Sequence, residues 1–371
     1  MTETIIFTID SLGDGGAEKS VLALSSGFQK IGFKVFIITI KDHVVYEIPE
    51  NIHYISMNFT KGLGFYRILT DLKLKFKLEQ HLKKITETHN VRALFSNLIF
   101  SDTLISSITL NCSAFFIIRN NYGAKFLKPR KGLRRLVKWR KLKKIYDGKN
   151  LISLSDGIKE DMLNCVKIRP QSIRTVNNAF PIGDIELLAN EPFTHGIGDY
   201  IINVGRFGIQ KRHDVLLKAF AKSGVKCQMV LLGSEDKAAE KKIMDLARNL
   251  GIKNQIVIPG FQMNPYNWMK NARLFVLSSD FEGFPRVVVE ALASGTPVIS
   301  TDCPSGPSEI LKDFPELLSP IGDVDALAKN IARYYHLPPE INKDNLKNYD
   351  IDTVVKKLEA IIDGRGKQAS N

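Results

Sequence analysis

Short apolar runs alternate with longer segments of helical period along nearly the whole chain, and this constrains the fold more than any other feature. Apolar runs occur at Ile5–Ile9, Val35–Ile40, Ile52–Met57, Ala93–Phe95, Ala114–Ile118, Leu151–Leu154 and Ser172–Val176. A second series follows at Ile201–Val204, Gln228–Leu232, Ile256–Ile258, Leu274–Leu277 and Val298–Ser300. Strands that are apolar throughout and separated by helices bury both faces, which means parallel, doubly wound sheets. Between the two series, residues 181–199 turn to Pro, Gly, Asn and acids without periodicity and read as a linker. The expected architecture is therefore α/β, with two tandem Rossmann-like domains facing a cleft: residues 1–180, residues 200–345, and a terminal helix and polar tail over 346–371 that pack back on the first domain.

The stretch from Ala93 to Ile118 carries little charge, but Asn97, Asp102 and Asn111 within it argue for strand, helix capped by Asp102, and strand rather than a membrane span. The N-terminus has no basic start followed by an apolar core and a cleavage site, so export is not expected. Cys112, Cys165, Cys227 and Cys303 are scattered without metal-ligand spacing and read as reduced, mostly buried thiols of a cytoplasmic protein. The net charge of +13 is uneven: residues 1–191 hold 29 Lys and Arg against 18 Asp and Glu, and the remainder 23 against 21. The first half should face something anionic.

Four places bear on chemistry. After the first strand, Gly15-Gly16-Ala17-Glu18 opens a helix and reads either as a plain tight turn or as an anion site made of free amides. In the second series Arg206 follows a strand directly and Lys211 stands five residues later at a helix start, where both can reach the carboxyl ends of the strands. Arg offers a bidentate fork to phosphate and Lys a point charge. The stretch Ser279–Ile299 sets Glu282 in a turn with Gly283, Phe284 and Pro285, then Glu290 within a helix; alone, Glu290 reads rather as a solvated helix residue. His213 reads as a surface residue at a helix start. Asp323-Val324-Asp325 and Asp350-Ile351-Asp352 read as helix caps, so no metal is expected.

Taken together, Glu282 to Glu290, the pair Gly15-Gly16, Val204-Gly205-Arg206-Phe207 with Lys211, and Leu231-Leu232-Gly233-Ser234 resemble retaining glycosyltransferase family four, which has the GT-B fold. The run Asp302–Glu309 is further similar to the branch with bacterial N-acetylgalactosamine and hexose transferases of lipid-linked glycan or O-antigen assembly. The resemblance implies a metal-independent enzyme without cofactor, taking a hexose or N-acetylhexosamine from a UDP-sugar to a polyprenyl-diphosphate-linked or lipopolysaccharide acceptor. It implies that Glu282, Arg206 and Lys211 serve catalysis, and that Glu290, Gly283, Phe284, Pro285 and Gly233 help bind the donor, with Glu290 on the ribose. Gly15, Gly16, Arg119 and Asn120 would form the acceptor or phosphate loop. Many members place a sugar-contacting His where this chain has Arg119-Asn120, which either take that role or hold a loop. Other enzymes of the fold, a UDP-sugar epimerase or a free-sugar synthase, and a non-catalytic basic binding module remain alternatives.

Between Lys125 and Lys144 there are eleven basic residues and no acidic one, interleaved with Phe126, Leu133, Leu136, Val137, Trp139 and Leu142. The segment reads as a solvated face or as a site for an anionic membrane surface on the cytoplasmic side. In the membrane reading Lys128, Arg130, Lys131, Arg134, Arg135 and Lys138 meet headgroups, and Trp139 or Phe126 inserts shallowly. Recognition motifs for nucleic acid are missing, and none is expected as a partner.

Overall fold

The computed structural model describes residues 2–13, 15–60, 66–233, 236–341 and 343–364. They gather into two compact units, the described residues up to 180 with 348–364, and those from 181 to 347. Asp14 of the glycine-rich turn, Phe65 at the expected start of the Lys-rich helix, Ser234 and the tail beyond Gly364 lie outside the described residues.

The first unit runs β1 (Glu3–Ile9), α1 (Gly16–Lys30), β2 (Lys34–Thr39), β3 (His53–Ser56), α2 (Tyr66–Thr88), β4 (Asn90–Asn97), α3 (Ile99–Ile105), β5 (Ser113–Ile118), α4 (Gly132–Tyr146), β6 (Asn150–Ser153), α5 (Asp156–Glu160) and β7 (Ser172–Thr175). The sheet order is β3-β2-β1-β4-β5-β6-β7, and the pairings are parallel. Ile5, Ile6, Phe7 and Ile9 of the central strand are wholly buried, as full coverage of both faces requires. Phe7 stacks on Phe95 at 5.4 Å between ring centroids, and Phe95 on Phe115 at 5.6 Å, so one aromatic row ties three neighbouring strands.

The second unit runs α6 (Ile182–Ala189), β8 (Tyr200–Val204), α7 (His213–Ser223), β9 (Gln228–Leu232), α8 (Lys237–Asn249), β10 (Ile256–Gly260), α9 (Tyr266–Lys270), β11 (Leu274–Leu277), α10 (Arg286–Ala293), β12 (Val298–Thr301), α11 (Pro307–Ile310), β13 (Leu318–Ser319) and α12 (Val324–His336). Its parallel sheet has the order β10-β9-β8-β11-β12-β13. Helix α13 (Ile351–Ile362) belongs to the first unit and lies on α1. A Cβ on Gly27 would stand 2.7 Å from Val355 and closer still to Ile351, so this close helix pair requires glycine there.

Two expectations change. The segment 181–199 is not a bare linker: α6 packs against α9 and α10 with Ile185 and Ala189 buried, and His195 stacks on Trp268 at 4.2 Å. Two helical turns are too short to show a period in sequence. Asp102 does not cap α3; it sits inside the helix, fully buried, where it accepts from Ser96 Oγ at 2.6 Å and Tyr146 Oη at 2.6 Å. Burial pushes its carboxyl up to about 7. Asp323 and Asp350 do cap α12 and α13 through their side chains. Cys227 and Cys303 are buried, Cys112 half-buried and Cys165 exposed. Among the described residues no helix is long and apolar enough to cross a membrane.

Candidate functional site

An open parallel sheet binds ligands where neighbouring strands send their connections in opposite directions. In the second unit that point lies between β8 and β11, since β8 leads towards β9 and β10 while β11 leads towards β12 and β13. The loop after β8 carries Arg206 and Lys211, and the loop after β11 carries Glu282. The two loops are bonded into one body. Lys211 Nζ donates to Glu282 Oε1 at 2.9 Å, and Ser279 Oγ donates to the same oxygen at 2.7 Å. Ser278 Oγ donates to the Lys211 carbonyl at 2.7 Å, and Gln210 Nε2 to the Phe281 carbonyl at 2.6 Å.

Arg212 closes the joint. Its backbone is left-handed with φ 48°, and its guanidinium reaches Asp280 at 2.8 Å while forking onto Asp214 at 2.9 and 3.0 Å. A planar fork between two carboxylates fixes the spacing of the loops on either side. The result holds one carboxylate oxygen of Glu282 against a cation, on a residue only 8% exposed. A carboxylate is tolerated at that depth because both donors compensate it.

Glu290 is also buried, one turn into α10, with Arg286 Nη2 3.4 Å from its Oε1. Its reading as a solvated helix residue is therefore excluded. Gly283, Phe284 and Pro285 are buried between the two glutamates. Gly306, at φ 107°, lies so near Pro285 that any Cβ there would run into its ring. Gly233 directly follows β9, against the Arg206 loop: a Cβ would stand 2.6 Å from the Gly205 carbonyl and 2.7 Å from the Phe207 ring. Arg206 itself is exposed.

His213 is corrected from a surface residue to a buried one. Its Nε2 lies 3.2 Å from Asn203 Oδ1, its ring meets Phe207 edge-on at 5.2 Å, and burial, then Lys211, lowers its pKa to about 4. The ring is neutral at physiological pH and braces the Lys211 loop from below.

In the first unit the strand order reverses between β1 and β4. Gly15 is the N-cap of α1 and Gly16 its first residue, both near the carboxyl end of β1. Arg119, just past β5, is buried; Nε and Nη2 donate to Asn97 Oδ1 at 3.1 and 2.6 Å, and Nη1 donates to Asn178 Oδ1 at 3.1 Å. These bonds tie together the ends of β4, β5 and the segment after β7. Asn120 beside it is half-buried. Asp10, at the end of β1, accepts from Ser101 N at 2.8 Å, and burial pushes its carboxyl to about 6. Sequence reasoning assigned no site role to Asp10, Asn97, Asn178, Arg212, Ser279 and Arg286. A polar residue immediately after an apolar strand was the available signal for Asp10.

The basic segment divides by helical face. In α4 the indole N–H of Trp139 donates to the Val166 carbonyl at 2.7 Å, and Lys138 Nζ lies 4.0 Å from the Phe126 ring centroid. Arg130 donates to the Phe126 carbonyl at 2.8 Å. Trp139 and Phe126 are both half-buried, each with a contact inside its own unit. Lys128, Lys131, Arg134 and Arg135 are exposed, and with them stand Leu133, Leu136 and Val137 at 74, 38 and 59%.

Comparison with known proteins places this geometry. Residues 190–353 match the profile described as glycosyl transferases group 1. The second unit is a glycosyl transferases group 1 domain. An enzyme of Campylobacter jejuni, N-acetylgalactosamine-N,N'-diacetylbacillosaminyl-diphospho-undecaprenol 4-alpha-N-acetylgalactosaminyltransferase, is 29% identical over 316 residues, 82% of each chain. The lipopolysaccharide 1,6-galactosyltransferase of Escherichia coli is 32% identical over 200 residues, 51% of this chain and 54% of its own. The structure of Anabaena HepE in complex with UDP-glucose superposes with a TM-score of 0.76 at 17% identity, over 97% of this chain and 99% of that one. Both units share that fold. The switch-point loops and both buried glutamates lie inside the group 1 domain.

Proposed function

We propose that the protein is a retaining glycosyltransferase that needs no metal, and that it moves a hexose or N-acetylhexosamine from a UDP-sugar to a lipid-linked or lipopolysaccharide acceptor. The observation that carries this reading is the Lys211–Glu282 pair at the β8/β11 switch point, with buried Glu290 one helix beyond. Lys211 and Arg206 supply positive charge where the bond between the anomeric carbon and the diphosphate oxygen breaks. Glu290 receives the ribose hydroxyls. Glu282, with one oxygen held by Lys211 and Ser279, turns the other to the sugar.

The acceptor oxygen bonds to the anomeric carbon on the face the diphosphate leaves, and its proton passes to the departing phosphate oxygen. No protein nucleophile enters this scheme. The acceptor class follows the names of the Campylobacter and Escherichia coli relatives. A lipid-linked acceptor calls for work at a bilayer, and the exposed turn of α4, with Leu133, Leu136 and Val137 among Lys131, Arg134 and Arg135, has the composition of a peripheral contact with anionic lipid.

The test is UDP-dependent thermal stabilisation of the protein and of Glu290→Ala. Millimolar UDP should raise the wild-type melting temperature and leave the variant unmoved; an equal shift in both refutes the role of Glu290. Transfer in the presence of EDTA, with the anomeric configuration of the product read by NMR, checks metal independence and retention.

A further inference from the structure

Helix α10 is short and buried along most of its length. Val288, Val289, Ala291 and Ala293 supply its apolar contacts, and the two charged residues among them, Arg286 and Glu290, are 9 and 5% exposed. They stand one turn apart, with Nη2 of Arg286 3.4 Å from Oε1 of Glu290. Among the described residues Arg286 is the cation within ion-pair reach of that carboxylate. Pro285 is the N-cap of the helix and packs against Gly306, which fixes the backbone from which both side chains project.

Helix stability does not account for the arginine. A cation in the first turn opposes the helix dipole, and a basic residue preceding its acidic partner at i,i+4 is the weaker order of the two. Apolar side chains of similar volume in place of a buried ion pair are often neutral or stabilising. Local preference is thus broken at one buried position, as happens where a site requires it. What Arg286 supplies is a fixed charge beside Glu290, since a carboxylate at that depth keeps its charge only against a cation. The separation of 3.4 Å exceeds the about 2.7–2.9 Å of a committed bond between charged groups, so the lone pairs of the carboxylate stay open to a ligand.

We propose that Arg286 is a positioning residue for donor recognition: it holds the Glu290 carboxylate charged and turned to the ribose hydroxyls, and so sets the preference for a ribonucleotide donor over a deoxyribonucleotide. The inference rests on the ribose role of Glu290 given above. A site built to bond a hydroxyl rejects the analogue that lacks it, because its own buried polar groups are then left unpaired. Arg286 acts through Glu290 and touches no part of the nucleotide itself.

The experiment is calorimetric titration of the full chain with UDP and with 2′,3′-dideoxy-UDP, which lacks both hydroxyls. The wild-type protein should bind UDP more tightly by about tenfold to a hundredfold. Arg286→Leu should weaken UDP and leave the dideoxy ligand unchanged, bringing the ratio within about threefold, and Arg286→Lys should keep most of the ratio. Arg286→Gln, polar and of similar reach, gives the same reading where leucine prevents folding. In a Glu290→Gln background, adding Arg286→Leu should change UDP affinity by less than about twofold. Equal weakening of both ligands, or weakening that persists in the Glu290→Gln background, assigns Arg286 to the diphosphate and overturns the proposal. An unchanged ratio with a lowered melting temperature shows a purely structural arginine and overturns it as well, while the donor reading stands. A wild-type protein that binds neither ligand, or both equally, refutes the ribose role of Glu290 and this inference with it.

Discussion

Replacing Lys211 by methionine removes a cation and leaves Glu282, 8% exposed, with the Ser279 hydroxyl on the oxygen that both donors now share. The side chains of the pair are 16 and 10% exposed, too enclosed for water to take the place of the ammonium. Breaking a buried ion pair by deleting one partner costs about 3–5 kcal/mol, whereas removing both costs far less than twice that. Lys211→Met and Glu282→Gln should therefore each destabilise the protein by about 3 kcal/mol. The double variant should lose little more than either, a coupling of about 2–3 kcal/mol. At about 2–4 °C per kcal/mol for a domain of this size, each single variant should melt roughly 6–12 °C lower. The assay is urea unfolding followed by circular dichroism on all four proteins of the cycle, with UDP-sugar turnover measured in parallel. Single variants that lose less than about 1 kcal/mol, as exposed pairs do, would refute the argument. So would additivity within about 0.5 kcal/mol.

Gly233→Ala should destabilise the protein by about 1–3 kcal/mol and weaken UDP binding, because a Cβ 2.6 Å from the Gly205 carbonyl displaces the loop that carries Arg206; calorimetry with UDP measures both effects. His213 should contribute an acid-sensitive term. Its pKa is about 4 when folded against 6.5 ordinarily, so the unfolded chain takes up the proton first and stability is lost as pH falls from 6.5 to 4, by about 3 kcal/mol. The raised carboxyls of Asp10 and Asp102 act in the opposite sense. The measurement is accordingly the difference between wild type and His213→Gln in melts at pH 7.5 and 4.5, and a constant difference would exclude the buried neutral ring.

The alternation of apolar runs and helical segments was sufficient to specify two parallel sheets, because strands buried on both faces carry continuous apolar sequence and parallel pairing demands a crossover between them. The candidate donor site was legible only through resemblance: Glu282 to Glu290, with Arg206 and Lys211 after a strand, resemble a family motif, and such residues sit at fixed places in the chain relative to elements that periodicity reveals. What chain order could not show was which polar residues become partners. Arg212 with Asp280, Arg119 with Asn97 and Asn178, and Asp102 with Tyr146 are separated by 68, 22, 59 and 44 residues and meet only through tertiary packing, the first three pairs where parallel strands end side by side and the last between α3 and α4. Burial was equally invisible for His213, Asp102 and Glu290, whose residue types are common on surfaces and at helix ends. The same holds on the outside: composition marked the basic segment, but only the rotation of α4 about its axis decided that Trp139 turns inward and Leu133 and Val137 outward. Sequence by itself thus determined the order of elements and the chemistry available at the strand ends, which depend on local pattern; tertiary structure alone decided pairing, depth and facing, which depend on how distant segments pack.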